Sequence, residues 1–238
     1  MKTTLVLSLL AQVALAAEPT AAEILAKYDA IMGPGTYEAL AEMTATREDG
    51  TSRTYGMRFL KRDTDKFRVW FSAPASVKGQ EILRLGDNSW VYLPNLKRAT
   101  RIANRDSFQG GDFNNADVLR VNYAADYTAT LAPSPLPDSY AVELKSKSAE
   151  TAYDKIRLIV RKGDLQPLKG EYFGTSGQMI RSATFTEHAE FDKGFTRPGR
   201  IVMQNEVVKA RKTEMVMKTF KLDVDAPPQR FMQADLGK

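Results

Sequence analysis

From Tyr37 to Val224 the chain is written almost entirely in short runs of two-residue periodicity, which narrows the possible folds more than any motif does. Tyr55, Met57 and Phe59 alternate with other residues, as do Phe67, Val69 and Phe71, then Ile156, Leu158 and Val160, and finally Met215 and Met217. Successive side chains of a strand point to opposite faces, so each set lines one side of a sheet. Turn formers separate the runs: Asp49-Gly50, Asp87-Asn88, Pro94-Asn95, and later Gly163, Gly177 and Gly194. Links this short join antiparallel neighbours, because a parallel crossover needs a dozen or more residues. The runs read as 37–47, 51–62, 66–71, 81–85, 89–93, 97–102, 126–131, 140–146, 155–161, 168–173, 179–187, 200–209 and 214–224. The natural architecture is mainly β (α+β), a single antiparallel meander of about ten or eleven strands. Pro133, Pro135 and Pro137 mark a loop or a seam in the fold.

Helical signal is sparse. Thr20 with Glu23 three residues on has the form of a capping box, and Ile24, Leu25, Tyr28, Ile31 and Met32 make a helical stripe before Gly33-Pro34-Gly35 stops it. A second, short helix is expected over 112–119. Several strands are apolar on both faces, with Val91 and Leu93 opposed by Trp90 and Tyr92. A sheet of that kind either sits in a sandwich or has helices on one face and a ligand on the other.

The first residues have the layout of an export signal: basic Lys2, an apolar run from Leu5 to Leu15, and an Ala14-Leu15-Ala16 site, with cleavage expected near Ala16 or Ala17. The run is shorter than the ~20 residues of a spanning helix. The expected division is therefore a leader at 1–17 and one domain at 18–238, soluble and monomeric. Cysteine is absent, which removes a disulfide framework, thiolate chemistry and cysteine metal sites. The net charge of +5 becomes +4 without Lys2, from 33 basic and 29 acidic residues. So small an excess fits a mixed solvated surface, with no nucleic-acid footprint.

One segment carries more information than its neighbours. Asp87 to Arg120 strings together a turn, the aromatic strand around Trp90 and Tyr92, a second turn, a basic strand with Lys97, Arg98 and Arg101, and a loop where Phe108 and Phe113 bracket Gly110-Gly111. The order W-x-Y-L-P-x-L-K-R-x-x-R-I, followed by S-F-x-G-x-D-F and Asp117-x-Leu119, resembles the bacterial outer-membrane lipoprotein-sorting (LolA-like) proteins. Tyr123, Tyr127, the run Tyr153-Asp154-Lys155-Ile156 and the run Leu165-Gln166-Pro167-Leu168-Lys169 extend the resemblance over nearly the whole mature chain. What it implies is a periplasmic fold of one curved antiparallel sheet, an open half-closed barrel, with an N-terminal helix and a short loop helix covering an apolar cavity for acyl chains. It further implies a carrier passing lipid or lipoprotein cargo from an inner-membrane export system toward an outer-membrane acceptor.

On that reading the cavity candidates are Met57, Phe59, Val69, Phe71, Val91, Leu93, Phe108, Phe113, Met215 and Met217, each of which is otherwise an ordinary core residue. Lys97, Arg98, Arg101 and Arg105 are either a basic rim for headgroups or strand-edge charges that discourage aggregation. No catalytic, metal or cofactor site is expected. His188 is the single histidine and no G-x-S-x-G elbow accompanies it. Asp112, Asn114 and Asp117 are spaced like a calcium loop but meet Tyr123 where the closing carboxylate belongs, so helix capping by Asp112 or Asn114 explains them better. A lipid-acting hydrolase and an envelope-stress sensing module are the alternative functions.

Overall fold

The computed structural model describes residues 18–120 and 122–238, so the leader expected at 1–17 and its expected cleavage point lie outside the described residues. Helix α1 spans Ala21–Met32. Its capping box forms as expected: the Glu23 amide donates to Thr20 Oγ1 at 3.2 Å, and the Thr20 amide donates to Glu23 Oε2 at 2.8 Å. All five residues of the apolar stripe are buried. Among the described residues no helix is long and apolar enough to cross a membrane.

Among the described residues thirteen strands form, rather than ten or eleven, because every short run found a partner. They are β1 (Tyr37–Thr46), β2 (Ser52–Arg62), β3 (Lys66–Ala73), β4 (Glu81–Leu85), β5 (Asn88–Leu93), β6 (Arg98–Ile102), β7 (Tyr127–Ala132), β8 (Ser139–Ser146), β9 (Lys155–Arg161), β10 (Pro167–Phe173), β11 (Met179–Asp192), β12 (Phe195–Asn205) and β13 (Lys212–Leu222). Together they make one open antiparallel sheet in the order β6-β5-β4-β3-β2-β1-β13-β12-β11-β10-β9-β8-β7. Two meanders thus meet at the β1–β13 pair, which runs from Tyr37↔Leu222 to Thr46↔Lys212 with one bulge at Leu40/Ala41. The proline-rich stretch after β7 is only the β7–β8 hairpin loop. The seam of the fold is β1–β13.

Local detail departs from expectation where proline and short helices are involved. Strand β12 begins at Phe195, five residues before the expected start, and runs through Pro198. Its ladder to β13 begins only at Arg200, so the missing proline N–H costs no hydrogen bond on that side. Opposite, Glu187 adopts φ 53°, and a Cβ on Gly199 would stand 2.8 Å from the Glu187 carbonyl oxygen. The expected helix over 112–119 is shorter, α2 at Asn115–Leu119. A further turn, α3 at Tyr123–Asp126, precedes β7.

The pleat sorts apolar residues into two layers. The inner layer is the main core, against which α1 packs. The outer layer is smaller: Leu60 and Leu83, with Trp70, Leu85 and Tyr92, are covered by the C-terminal tail through Ala226, Phe231 and Leu236. Arg68 pins that tail. It is 0 % exposed, its Nε and Nη2 donate to Glu81 Oε2 at 2.9 and 2.5 Å, and Nη1 and Nη2 donate to the Arg230 and Asp235 carbonyls at 2.7 and 2.8 Å. Removing one partner of a buried pair strands the other charge, at about 3–5 kcal/mol. Arg68→Met is therefore expected to lower stability by that amount in urea denaturation and to free the tail for proteolysis after Arg230. Adding Glu81→Leu should restore most of the loss, and a double variant no better than the single one would show that the pair is not the anchor.

Candidate functional site

The inner wall is built by strand parity. Phe59, Val69, Ile82 and Val91 are cross-strand partners from β2 to β5, while Met57 pairs with Phe71. From the other half come Ile201 and Met203 of β12 and Met215 and Phe220 of β13, all buried. Alanines at 39 and 41 of β1 leave the centre of the wall low.

Over this wall lies the segment 103–126. It connects β6 to β7, the two outermost strands of the sheet, and so runs from one unpaired edge to the other. Phe108 is 0 % exposed, with its ring 6.0 Å from that of Phe71. Tyr55 Oη donates to the Gln109 carbonyl at 3.0 Å. Asp112 is bound to the seam: its amide donates to Thr213 Oγ1 at 2.8 Å, and its carboxylate accepts from Thr213 Oγ1 at 3.0 Å and from Asn205 Nδ2 at 2.9 Å. Its role is docking to β12 and β13, and the start of α2 falls to Asn114, whose amide donates to Asp117 Oδ2 at 2.7 Å. Arg181 Nη1 reaches Asn114 Oδ1 at 2.6 Å, and Arg84 Nη1 donates to the Leu119 carbonyl at 3.1 Å. At the far end Asp29 of α1 accepts from the Tyr123 and Ala124 amides, both at 2.9 Å, and so caps α3.

Beneath the segment a small cavity of about 40 Å³ remains, lined by Met32, Tyr37, Phe59, Phe67, Phe113, Asp117, Val118, Arg197, Ile201, Met215 and Met217. Of the ten cavity candidates, Phe59, Phe113, Met215 and Met217 line it. Met57, Val69, Phe71 and Phe108 are buried in the same core without reaching it, and Val91 packs half-buried at its margin. Leu93 sits near the sheet edge, paired with Arg98. The four basic candidates lie elsewhere. Lys97 and Arg98 are exposed at the β5–β6 turn. Arg101 hydrogen-bonds Asn88 Oδ1, and Arg105 donates to the Ala149 and Thr151 carbonyls at 2.6 Å each. Arg101 borders a polar cleft with Asp87, Asp126, Arg120 and Glu150, so that surface mixes both signs of charge.

The charged groups inside the wall were not among the candidates. Lys61 is 5 % exposed and donates from Nζ to the Gly33 and Pro34 carbonyls at 2.7 and 2.6 Å, closing the end of α1. Burial, with Arg84 nearby, pulls its ammonium down to about 8. Arg197 is 3 % exposed. Asp117 borders the cavity, and burial raises its carboxyl above the usual range against the Asn114 amide and the Tyr153 hydroxyl, which donates to it at 2.8 Å. Tyr28 stacks on Tyr123, and Tyr153 lies against Tyr172, with centroids 5.5 and 4.7 Å apart; burial drives all four phenols well above their ordinary range. A signal for the cations existed. Lys61 is two residues beyond Phe59, and Arg197 keeps parity with Ile201 and Met203, so alternation alone places both on the inner face. His188 lies on β11 with Nε2 2.8 Å from the Pro167 carbonyl oxygen, a contact to the backbone of β10.

Comparison with known proteins follows the geometry. A LolA superfamily protein from Nitrosomonas europaea superposes with TM-score 0.82 at 25% identity, covering 91% of this chain and 99% of the other. A DUF1329 family protein from Desulfovibrio piger gives TM-score 0.82 at 20% identity, covering 91% and 97%. A Vibrio parahaemolyticus domain described as that of an outer membrane lipoprotein-sorting protein gives 0.78 at 22%, covering 91% and 96%. No curated protein sequence matches. A family model described as uncharacterized protein-like matches residues 63–238. The chain belongs to that family, and its fold is the LolA-like one.

Proposed function

We propose that the protein is a periplasmic carrier that shelters acyl chains of a lipid or lipoprotein between the inner wall of the sheet and the segment 103–126, without chemistry of its own. The observation that carries this reading is the construction of the roof: a segment strung between two unpaired sheet edges covers an apolar wall without adding a strand to it. The likeness to the LolA superfamily protein supports it. Export to the periplasm, an inner-membrane loading system and an outer-membrane acceptor complete the proposal.

A pocket for a drug-sized ligand takes about 300–1,000 Å³, and this cavity has about 40 Å³. Loading therefore lifts the roof. Each buried CH₂ contributes about 0.8 kcal/mol, and a bilayer offers the chain equal shelter. A carrier must then match the membrane rather than outbid it, and a wall that gives up roof contacts to admit each chain achieves that balance.

Native mass spectrometry of protein purified from the periplasm should show bound acyl species. Repeated emptiness, together with failure to bind a fluorescent acyl probe, would remove the carrier reading. The roof can be tested separately, because the chain is cysteine-free. A Cβ on Gly111 would lie 3.0 Å from Thr213 Oγ1, within reach of disulfide geometry. Oxidised Gly111→Cys/Thr213→Cys protein should lose probe uptake and regain it on reduction; uptake indifferent to redox state would place the entrance elsewhere.

Asp117 supplies a pH test. Its carboxyl is raised in the folded state, so as pH rises from about 4 the unfolded chain gives up this proton first and the folded form is progressively penalised. Asp117→Asn removes that penalty. The variant should gain thermal stability relative to wild type between pH 4 and pH 7, and a pH-independent difference would contradict the assignment.

A further inference from the structure

Arg197 is the least satisfied charge in the molecule's interior. An arginine has five N–H donors and cannot shed its proton in proteins. Among the described residues its side chain makes a single hydrogen bond, a long one from Nη1 to the Met32 carbonyl at 3.5 Å. Its Nε is buried and has no partner. No carboxylate pairs with it among the described residues. The Phe220 ring lies under the guanidinium at 4.7 Å, and burial pulls its pKa below the usual arginine range against the phenols of Tyr37 and Tyr28. The Met32 contact reaches the last residue of α1 but is long, and the turn after the helix is held more firmly by Lys61 Nζ on the Gly33 and Pro34 carbonyls at 2.7 and 2.6 Å. Arg84, whose Nε is also unpartnered, differs: its Nη1 serves the Thr64 and Leu119 carbonyls, and Asp87, Asp65 and Asp126 are close. Of these two arginines, Arg197 is the one that lines the apolar cavity.

A buried cation without a counter-charge is costly unless something pairs with it. We propose that Arg197 is the headgroup anchor of the cavity and that its ligand is a long-chain carboxylate, bound with the acid inward at Arg197 and the hydrocarbon along the inner wall beneath Phe113. This deepens the carrier reading and rests on it. The planar fork of one guanidinium matches one carboxylate with two parallel hydrogen bonds. A phospholipid phosphate carries polar groups on both sides and would need polar partners that Ile201, Met215 and Phe59 do not supply. Asp117, the other charged group on the cavity, faces the ligand with a carboxyl that burial biases toward its neutral form and that Tyr153 and the Asn114 amide already engage. The proposed orientation is the reverse of lipoprotein binding, where the acyl chains enter and the polar part stays outside.

The test is fluorescence titration of the mature protein with cis-parinaric acid and with its methyl ester, which share a tail and differ in charge. Wild type should bind the acid about 10- to 100-fold more tightly, the usual range for a hydrogen bond to a charged group. Arg197→Met should abolish that preference by weakening the acid alone, while Arg197→Lys keeps part of it. Equal binding of acid and ester by wild type would overturn the anchor while leaving the carrier reading intact. Uptake of a triacylated lipopeptide without uptake of either parinaric probe would do the same. Failure of all three ligands would overturn both. Should Arg197→Met fail to fold by circular dichroism, the acid-to-ester ratio in wild type and in Arg197→Lys decides the question.

Discussion

The ladder between β1 and β13 is the contact on which the rest depends. Ten Cα partners join strands from opposite ends of the described chain, and each half then grows outward as a simple meander. The free edges are therefore β6 and β7, which are neighbours in sequence, and the link between them has no route except across the sheet. The roof follows from the seam. The low alanines of β1 and the methionines of β13 lie along the same join, so the deepest part of the wall is also the place where the halves meet.

Alternation made most of this fold readable. Thr20 and Glu23 announced α1, and each predicted strand core is a strand. The errors are physical. The expected start at 200 misses the first five residues of β12, which begins at Phe195 and passes through Pro198, whose missing N–H costs nothing because the β13 ladder begins only at Arg200. The single turn of α3 has almost no periodicity to detect, and it depends on Asp29, 94 residues distant, to cap it. Which apolar residues border empty space was not legible at all: Phe59 and Met57 are adjacent inward positions of one strand, and only the packing of Phe113 and Phe108 above them separates the one that meets the cavity from the one that does not. The cations were missed for another reason. A lysine or arginine is usually exposed, so composition argued against the parity that places Lys61 and Arg197 inside.

Those buried cations divide by how they are satisfied. Arg68 has a carboxylate and tail carbonyls, Lys61 has the end of a helix, and Arg84 has loop carbonyls with acidic residues around it. Each ties one element to the sheet. Arg197 ties nothing firmly, and it alone borders the cavity. The other three each hold two or more carbonyls or carboxylates, which is what makes Arg197 informative.

The tail held by Arg68 has a consequence for how the chain reaches its folded state. The outer patch of Leu60, Leu83, Trp70 and Tyr92 belongs to strands β2 to β5, while its cover, Ala226 to Leu236, follows β13, far along the chain from them. Without that cover and without β13, β2 to β5 would be a sheet apolar on both sides with β1 unpaired at its edge. Such an intermediate exposes unpaired edge and greasy surface together, the combination that promotes aggregation. Folding of this half is thus tied to a segment distant from it in sequence.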